Sequence, residues 1–97
     1  MSRIEFGGLA NIEASSDGIR IGGRVFTGPI RVGDRFTSIR REGNRLTNPV
    51  DLVVKDIDFY GNRVDELEEA YTAWLVVVGD GASLLAEGDT LVGSEHE

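Results

Sequence analysis

The side chains of this 97-residue chain best placed for chemistry are its carboxylates. Asp56 and Asp58 stand two apart, a spacing that puts both on one face of a strand, and Asp65, Glu66, Glu68 and Glu69 crowd the connection that follows. Paired acids do general acid and base work in glycosidases, or hold a hard cation. No Asp-x-Asp-x-Asp-Gly loop closing on glutamate is present, and an acidic run is most often a solvated face, so neither a catalytic set nor a metal site is assigned. The single histidine, His96, lies between Glu95 and Glu97 in the final residues, which leaves nothing for a histidine-dependent triad. Cysteine is absent, which excludes thiol nucleophiles, disulfides and cysteine-ligated metals. The only lysine, Lys55, is followed by Asp56, so no glycine-rich phosphate loop ending in Lys-Ser/Thr can be written, and no cofactor is expected.

The arginines are the other functional group. Residues 1–45 carry eight arginines against five acids, whereas 46–97 carry two cations against twelve acids, for a net charge of −7. A chain this acidic is repelled by bulk nucleic acid, so RNA contact requires a local cationic face. Arg20, Arg24, Arg31, Arg35, Arg40 and Arg41 are the candidates, with pairing to the acids of the second half as the alternative role. The acidic stretch, flanked by Tyr60 and Tyr71, suits a basic protein partner, and the interface candidates are Asp58, Tyr60, Asp65, Glu66, Glu68, Glu69 and Tyr71. Trp74, in an apolar run, is expected in the core.

These residues need elements to hold them. The stretch 23–36, GRVFTGPIRVGDRF, reads as strand, bend, strand. Proline fixes φ and lacks an N–H, and glycine accepts conformations closed to other residues, so Gly28-Pro29 breaks the first run and Gly33-Asp34 reverses the second. Two reversals in so few residues, burying Val25, Ile30, Val32 and Phe36, suit a small closed β-barrel. Before it, residues 1–17 are expected as an N-terminal arm or edge strand, turned at Ser15–Gly18 into a strand over 19–27 in which Gly22-Gly23 predicts a bulge. Broken alternation between Phe36 and Ile39 predicts another. The segment 41–45 reads as an exposed loop, 50–59 as the longest strand with Val53, Ile57 and Phe59 on one face, and Val64 with Leu67 as a single helical turn. Residues 74–78 are a continuous apolar strand; 84–92, LLAEGDTLV, repeats the Gly-Asp turn at Gly88-Asp89; and 94–97 form a frayed tail.

One all-β domain is therefore expected over residues 1–97, with the barrel itself at 19–93 and 13 glycines supplying its turns. The first residues lack the apolar stretch of a signal peptide, and Ala73–Val78 is far shorter than the ~20 residues that cross a bilayer, so a cytoplasmic protein without membrane contact is expected.

The motifs GRVFTGPIRVGDRF, a strand ending in Ile57-x-Phe59, an acidic connection, an apolar strand and a closing LLAEGDTLV resemble the second domain of translational GTPases such as elongation factor Tu. The resemblance covers most of residues 19–93 and implies a stand-alone six- or seven-stranded Greek-key barrel. In that family this domain holds the aminoacylated end of tRNA; here only Asp58 stands where the family has a glutamate, so this recognition is not carried over with the resemblance. The departures are Gly61 where an arginine is expected, and Tyr71-Thr72-Ala73-Trp74 in place of a small-Gly-acid-Asn segment. Two functions are expected from this reading. The first is a non-enzymatic protein-interaction module, an immunity protein or antitoxin among such roles, acting through the acidic surface. The second is a translation-associated module contacting tRNA or ribosomal RNA through the arginines.

Overall fold

The computed structural model describes residues 3–41 and 47–94. Among these lie the strands β1 (Arg3–Ser15), β2 (Gly18–Thr27), β3 (Ile30–Arg31), β4 (Arg35–Arg40), β5 (Thr47–Phe59), β6 (Asn62–Val64), β7 (Glu66–Leu67), β8 (Thr72–Asp80) and β9 (Thr90–Ser94), with one 3-10 turn at Ala82–Leu84. Six strands close a ring in the order β1, β2, β8, β5, β4, β9 and back to β1, each neighbouring pair antiparallel. A seventh, β6, is added to β5, and β3 pairs with β7 in a separate short ladder. The chain steps over its neighbours twice, from β2 to β4 and from β8 to β9, as Greek-key connections do. The expected six- or seven-stranded all-β barrel is the fold observed.

Side chains alternate in and out along each strand, so every second residue fills the ring. Ile4, Phe6, Ile21, Val25, Phe36, Ile39, Leu52, Val54, Ile57, Leu75, Val77 and Leu91 are buried inside it. The first strand corrects the expected boundaries. Instead of an arm outside the barrel, Arg3–Ser15 form β1 within its wall, with β9 on one side at Arg3–Phe6 and β2 on the other. No helical turn forms at Val64 and Leu67, because each joins a short strand, β6 or β7. The bulge expected at Gly22-Gly23 lies across from them in β1, between Gly7 and Asn11, while β2 keeps an unbroken register with β8. The irregularity between Phe36 and Ile39 is present, shifting both ladders of β4. In β5 a further shift at Lys55 reverses the parity, so Val54 and Ile57 point inward instead of Val53 and Ile57. Val32, expected in the core, is exposed at the turn after β3. The proposed loop beyond Arg41 and the tail beyond Ser94, with His96, lie outside the described residues.

The two Gly-Asp turns are built alike. Asp34 Oδ2 accepts the Arg31 N–H at 2.8 Å, and Asp89 Oδ2 accepts the Ala86 N–H at 2.9 Å. The first turn then exchanges two backbone bonds with Val54 of β5, and the second exchanges the same two with Leu9 of β1: Gly33 and Gly88 donate to their carbonyls, while Asp34 and Asp89 accept their N–H groups. Both strands bulge at that point, β5 between Val54 and Asp56 and β1 between Gly7 and Asn11. The barrel is thus pseudo-twofold, with β1 matching β5, β2 matching β8 and β9 matching β4. Arg3 and Ser94, at its two described ends, are paired neighbours.

Candidate functional site

The outward residues of β2 are Arg20, Gly22, Arg24 and Phe26, and the strands beside it present Trp74 of β8 and Asp58 of β5 on the same side. Register sets this meeting: Gly22 pairs with Trp74, which pairs with Asp58. The indole lies over Gly22, where a Cβ would stand 3.6 Å from its ring atoms, in ordinary van der Waals contact. The Arg20 guanidinium lies 4.3 Å from the Trp74 ring centroid and 3.3 Å from Asp58 Oδ2. The other carboxylate oxygen of Asp58 is buried and has no hydrogen-bond partner among the described residues. This ridge divides two hollows. The larger, about 590 Å³, runs over Gly7 and Gly8 between Phe26, Tyr60 and Trp74. The smaller, about 370 Å³, lies toward Asp17, Asp56 and Arg63. Glycine at 7 matters here, because a Cβ would collide with the Phe26 ring and the Thr90 side chain.

Asp58 belongs to the ridge, and the other acidic candidates follow β6 along the chain: the Asp65 carbonyl accepts the Val32 N–H at 3.0 Å and the Glu68 carbonyl accepts the Tyr71 N–H at 3.4 Å. Tyr60 and Gly61 form the turn joining β5 to β6, both with positive φ, 52° and 82°. Tyr60 is 83% exposed and Tyr71 51% exposed, and both rings rest on Phe59, at centroid distances of 4.6 and 5.3 Å. Glu66 pairs with Arg31 at 2.9 Å, and Glu69 accepts the Gly28 N–H at 3.1 Å. Asp65 and Glu68 are exposed and carry no ion pair among the described residues.

The six candidate arginines do not form one face. Arg20 and Arg24 stand on β2, whereas Arg35 and Arg40 stand on β4, three strands away around a ring of six. Five of the six hold carboxylates: Arg20 with Asp58, Arg31 with Glu66, Arg35 with Asp51, Arg40 with Glu5 and Arg41 with Asp89. Arg24, exposed at the larger groove, has no carboxylate partner among the described residues.

Two of these pairs organise the barrel wall. Glu5 of β1 accepts from Arg40 of β4 at 2.9 Å and from the Thr27 hydroxyl of β2 at 3.1 Å, with Arg3 at 3.2 Å. Burial pushes the Glu5 carboxyl up, but the hydrogen bonds from Thr27 and Arg40 and the charges of Arg40 and Arg3 outweigh it and hold it below the usual range. Arg41 donates to both oxygens of the buried Asp89, at 2.9 and 3.1 Å, and to the Leu84 carbonyl. The hydrogen bond to Asp89 raises the guanidinium further above its ordinary value.

Trp74 is the residue the sequence reading misplaced. It lies half-buried on the outer wall, because Ala73, Leu75 and Val77 take the inward positions of β8. The period-two count from those residues carried the signal; the length of the apolar run concealed it. Phe26, Gly7 and Gly8 were likewise not singled out, since none bears a charge.

No protein-family model matches the sequence, and no curated protein matches it. Among solved structures, translation elongation factor SelB from Methanococcus maripaludis, in its apo form, superposes with a TM-score of 0.74 at 17% identity over 96% of this chain. The fold is that of a translation-factor barrel. It corresponds to the second-domain barrel of elongation factor Tu and its kin, and the chain spans 19% of the SelB protein's length. Within the barrel, no group of three or more His, Cys, Asp or Glu side chains is placed to hold a metal among the described residues. No helix there is long and apolar enough to cross a membrane.

Proposed function

We propose that this translation-factor barrel is a non-enzymatic, cytoplasmic binding module that engages a basic protein partner through Tyr60, Asp65, Glu68 and Tyr71. The observation that carries this reading is the distribution of compensated charge. Five of the six candidate arginines are each held against a carboxylate, whereas Asp65 and Glu68 are exposed with no ion pair among the described residues, in the stretch that leads from the Tyr60 turn to Tyr71. Exposed aromatics supply contact area, and uncompensated acid supplies steering. An immunity protein or antitoxin needs these properties and no chemistry.

A second reading has its own observation. The larger groove joins the Trp74 indole, Phe26 and Arg24, a stacking surface beside a cation that has no carboxylate partner among the described residues. On this reading the barrel contacts the end of a tRNA or a ribosomal RNA, as its likeness to translation factors implies. Affinity capture from the host lysate, with and without ribonuclease, separates the two. A stoichiometric protein retained after nuclease treatment supports the first; RNA, or ribosomal proteins lost on treatment, overturns it in favour of the second.

A further inference from the structure

The pseudo-twofold arrangement exposes an asymmetry between β1 and β5. Each loses its ring neighbour past its bulge: β9 pairs only with Arg3–Phe6 of β1, and β4 pairs with β5 only as far as Val53. Beyond that point both strands continue along the equivalent partner, Ile12 opposite Ile21 of β2 and Ile57 opposite Leu75 of β8. On β5 the vacated side is filled. The Tyr60-Gly61 turn folds β6 onto it, with Val64 against Ile57, Arg63 against Asp58 and Asn62 against Phe59. On β1 the matching stretch, Asn11–Ala14, bonds to β2 on one side and makes no backbone hydrogen bond on the other among the described residues.

We propose that the Asn11–Ala14 edge of β1 is a strand-addition site for an extended, alternating basic and apolar segment of the protein partner. The proposal deepens the protein-interaction reading and rests on it. A strand edge offers unpaired N–H and C=O groups to any extended chain, and its side-chain alternation then selects among them. The occupant's chemistry is read from β6, which already fills the equivalent edge. Its central Arg63 reaches Asp56 of the strand it covers, at 3.6 Å, and its Val64 packs against the core. On β1 the place of Asp58 is taken by Glu13, an exposed carboxylate with no ion pair among the described residues. A second copy of this chain is disfavoured as the occupant, since each copy carries a net charge of −7. A cationic residue opposite Glu13, in the register Arg63 holds opposite Asp58, meets that uncompensated charge, while Asn11 stands where β5 has Asp56.

The probe is a capped peptide, Thr-Arg-Val-Arg-Val-Thr, titrated into the isotopically labelled full chain, with amide exchange read residue by residue. The expected result is exchange slowed at least tenfold within Asn11–Ala14. Binding should weaken at least tenfold in Glu13→Lys, whose exposed position leaves the fold intact, and for a control peptide with glutamate in place of arginine. Protection confined to the Tyr60 and Tyr71 corner overturns the edge assignment while leaving the protein-interaction reading in place. Unchanged affinity in Glu13→Lys, or no binding at millimolar peptide, overturns it as well. Edge protection by the peptide in a chain that captures only RNA overturns the assigned partner.

Discussion

Replacing Glu5 by glutamine probes the account where three strands meet. The carboxylate is 14% exposed and takes hydrogen bonds from Arg40 and Thr27, with Arg3 beside it, so β1, β2 and β4 depend on one charge. Hydrogen bonds to a charged group contribute about 1.5–3 kcal/mol, and the two half-exposed arginines screen part of that. Glu5→Gln keeps the shape and one acceptor but removes the charge, and should cost about 1–2 kcal/mol at about pH 7, with Tm falling about 4–8 °C for each kcal/mol. The pH dependence gives the sharper test. Because the folded carboxyl lies below its ordinary value of 4.5, its contribution is complete above that value and is lost as pH falls through the folded one. Urea unfolding of both proteins should therefore show a gap near neutral pH that closes as pH falls below 4.5. A gap that stays constant over that range, or a glutamine variant as stable as the parent at neutral pH, would refute the reasoning.

Three further outcomes follow from the geometry. Gly79→Ala forces a Cβ into the Asp51 carbonyl at φ 135° and should cost about 2–4 kcal/mol, whereas Gly61→Ala, with open space at φ 82°, should cost about 1 kcal/mol; equal costs in denaturant titrations would sink the steric account. Arg20→Ala uncovers the only tryptophan, so emission should shift to the red and acrylamide quenching should rise, with about 0.5–1 kcal/mol lost; an unchanged spectrum would mean the stacking is absent in solution. Because Arg3 and Ser94 are paired neighbours, a circular permutant joining the ends and opening the chain between Glu42 and Thr47 should keep the parent's circular dichroism and cooperative unfolding; a non-cooperative transition would contradict the pseudo-twofold description.

The turns were the most legible part of the sequence. Gly28-Pro29 and Gly33-Asp34 pointed to the closed barrel and Gly88-Asp89 to a turn like the one at 33–34, and each Gly-Asp turn carries its own local side-chain bond. Periodicity failed where extra residues enter a strand. Residues such as Lys55 or the Gly8–Ala10 stretch flip the inward face, and no local preference announces that. Val64 and Leu67 have helical spacing, yet they join separate ladders, Val64 folding back on Ile57 through the Tyr60-Gly61 turn and Leu67 pairing with Ile30, which is distant in sequence. Trp74 shows the same limit at the site: its type argued for burial, while its register against Gly22 and Asp58 puts it outside. The arginines were legible as a group but not as pairs, because which acid meets which arginine depends on the order of strands around the ring.

The central claim is that Asp65 and Glu68, between Tyr60 and Tyr71 in the chain, carry the partner interaction. Glu66 and Glu69 serve local bonds, so reversing them would confound fold with binding. The decisive measurement is the affinity of the nuclease-resistant partner for Asp65→Lys with Glu68→Lys, with unfolding checked alongside. Binding weakened by about a hundredfold, with stability within about 0.5 kcal/mol of the parent, is the predicted result. Unchanged affinity in a folded variant would contradict it.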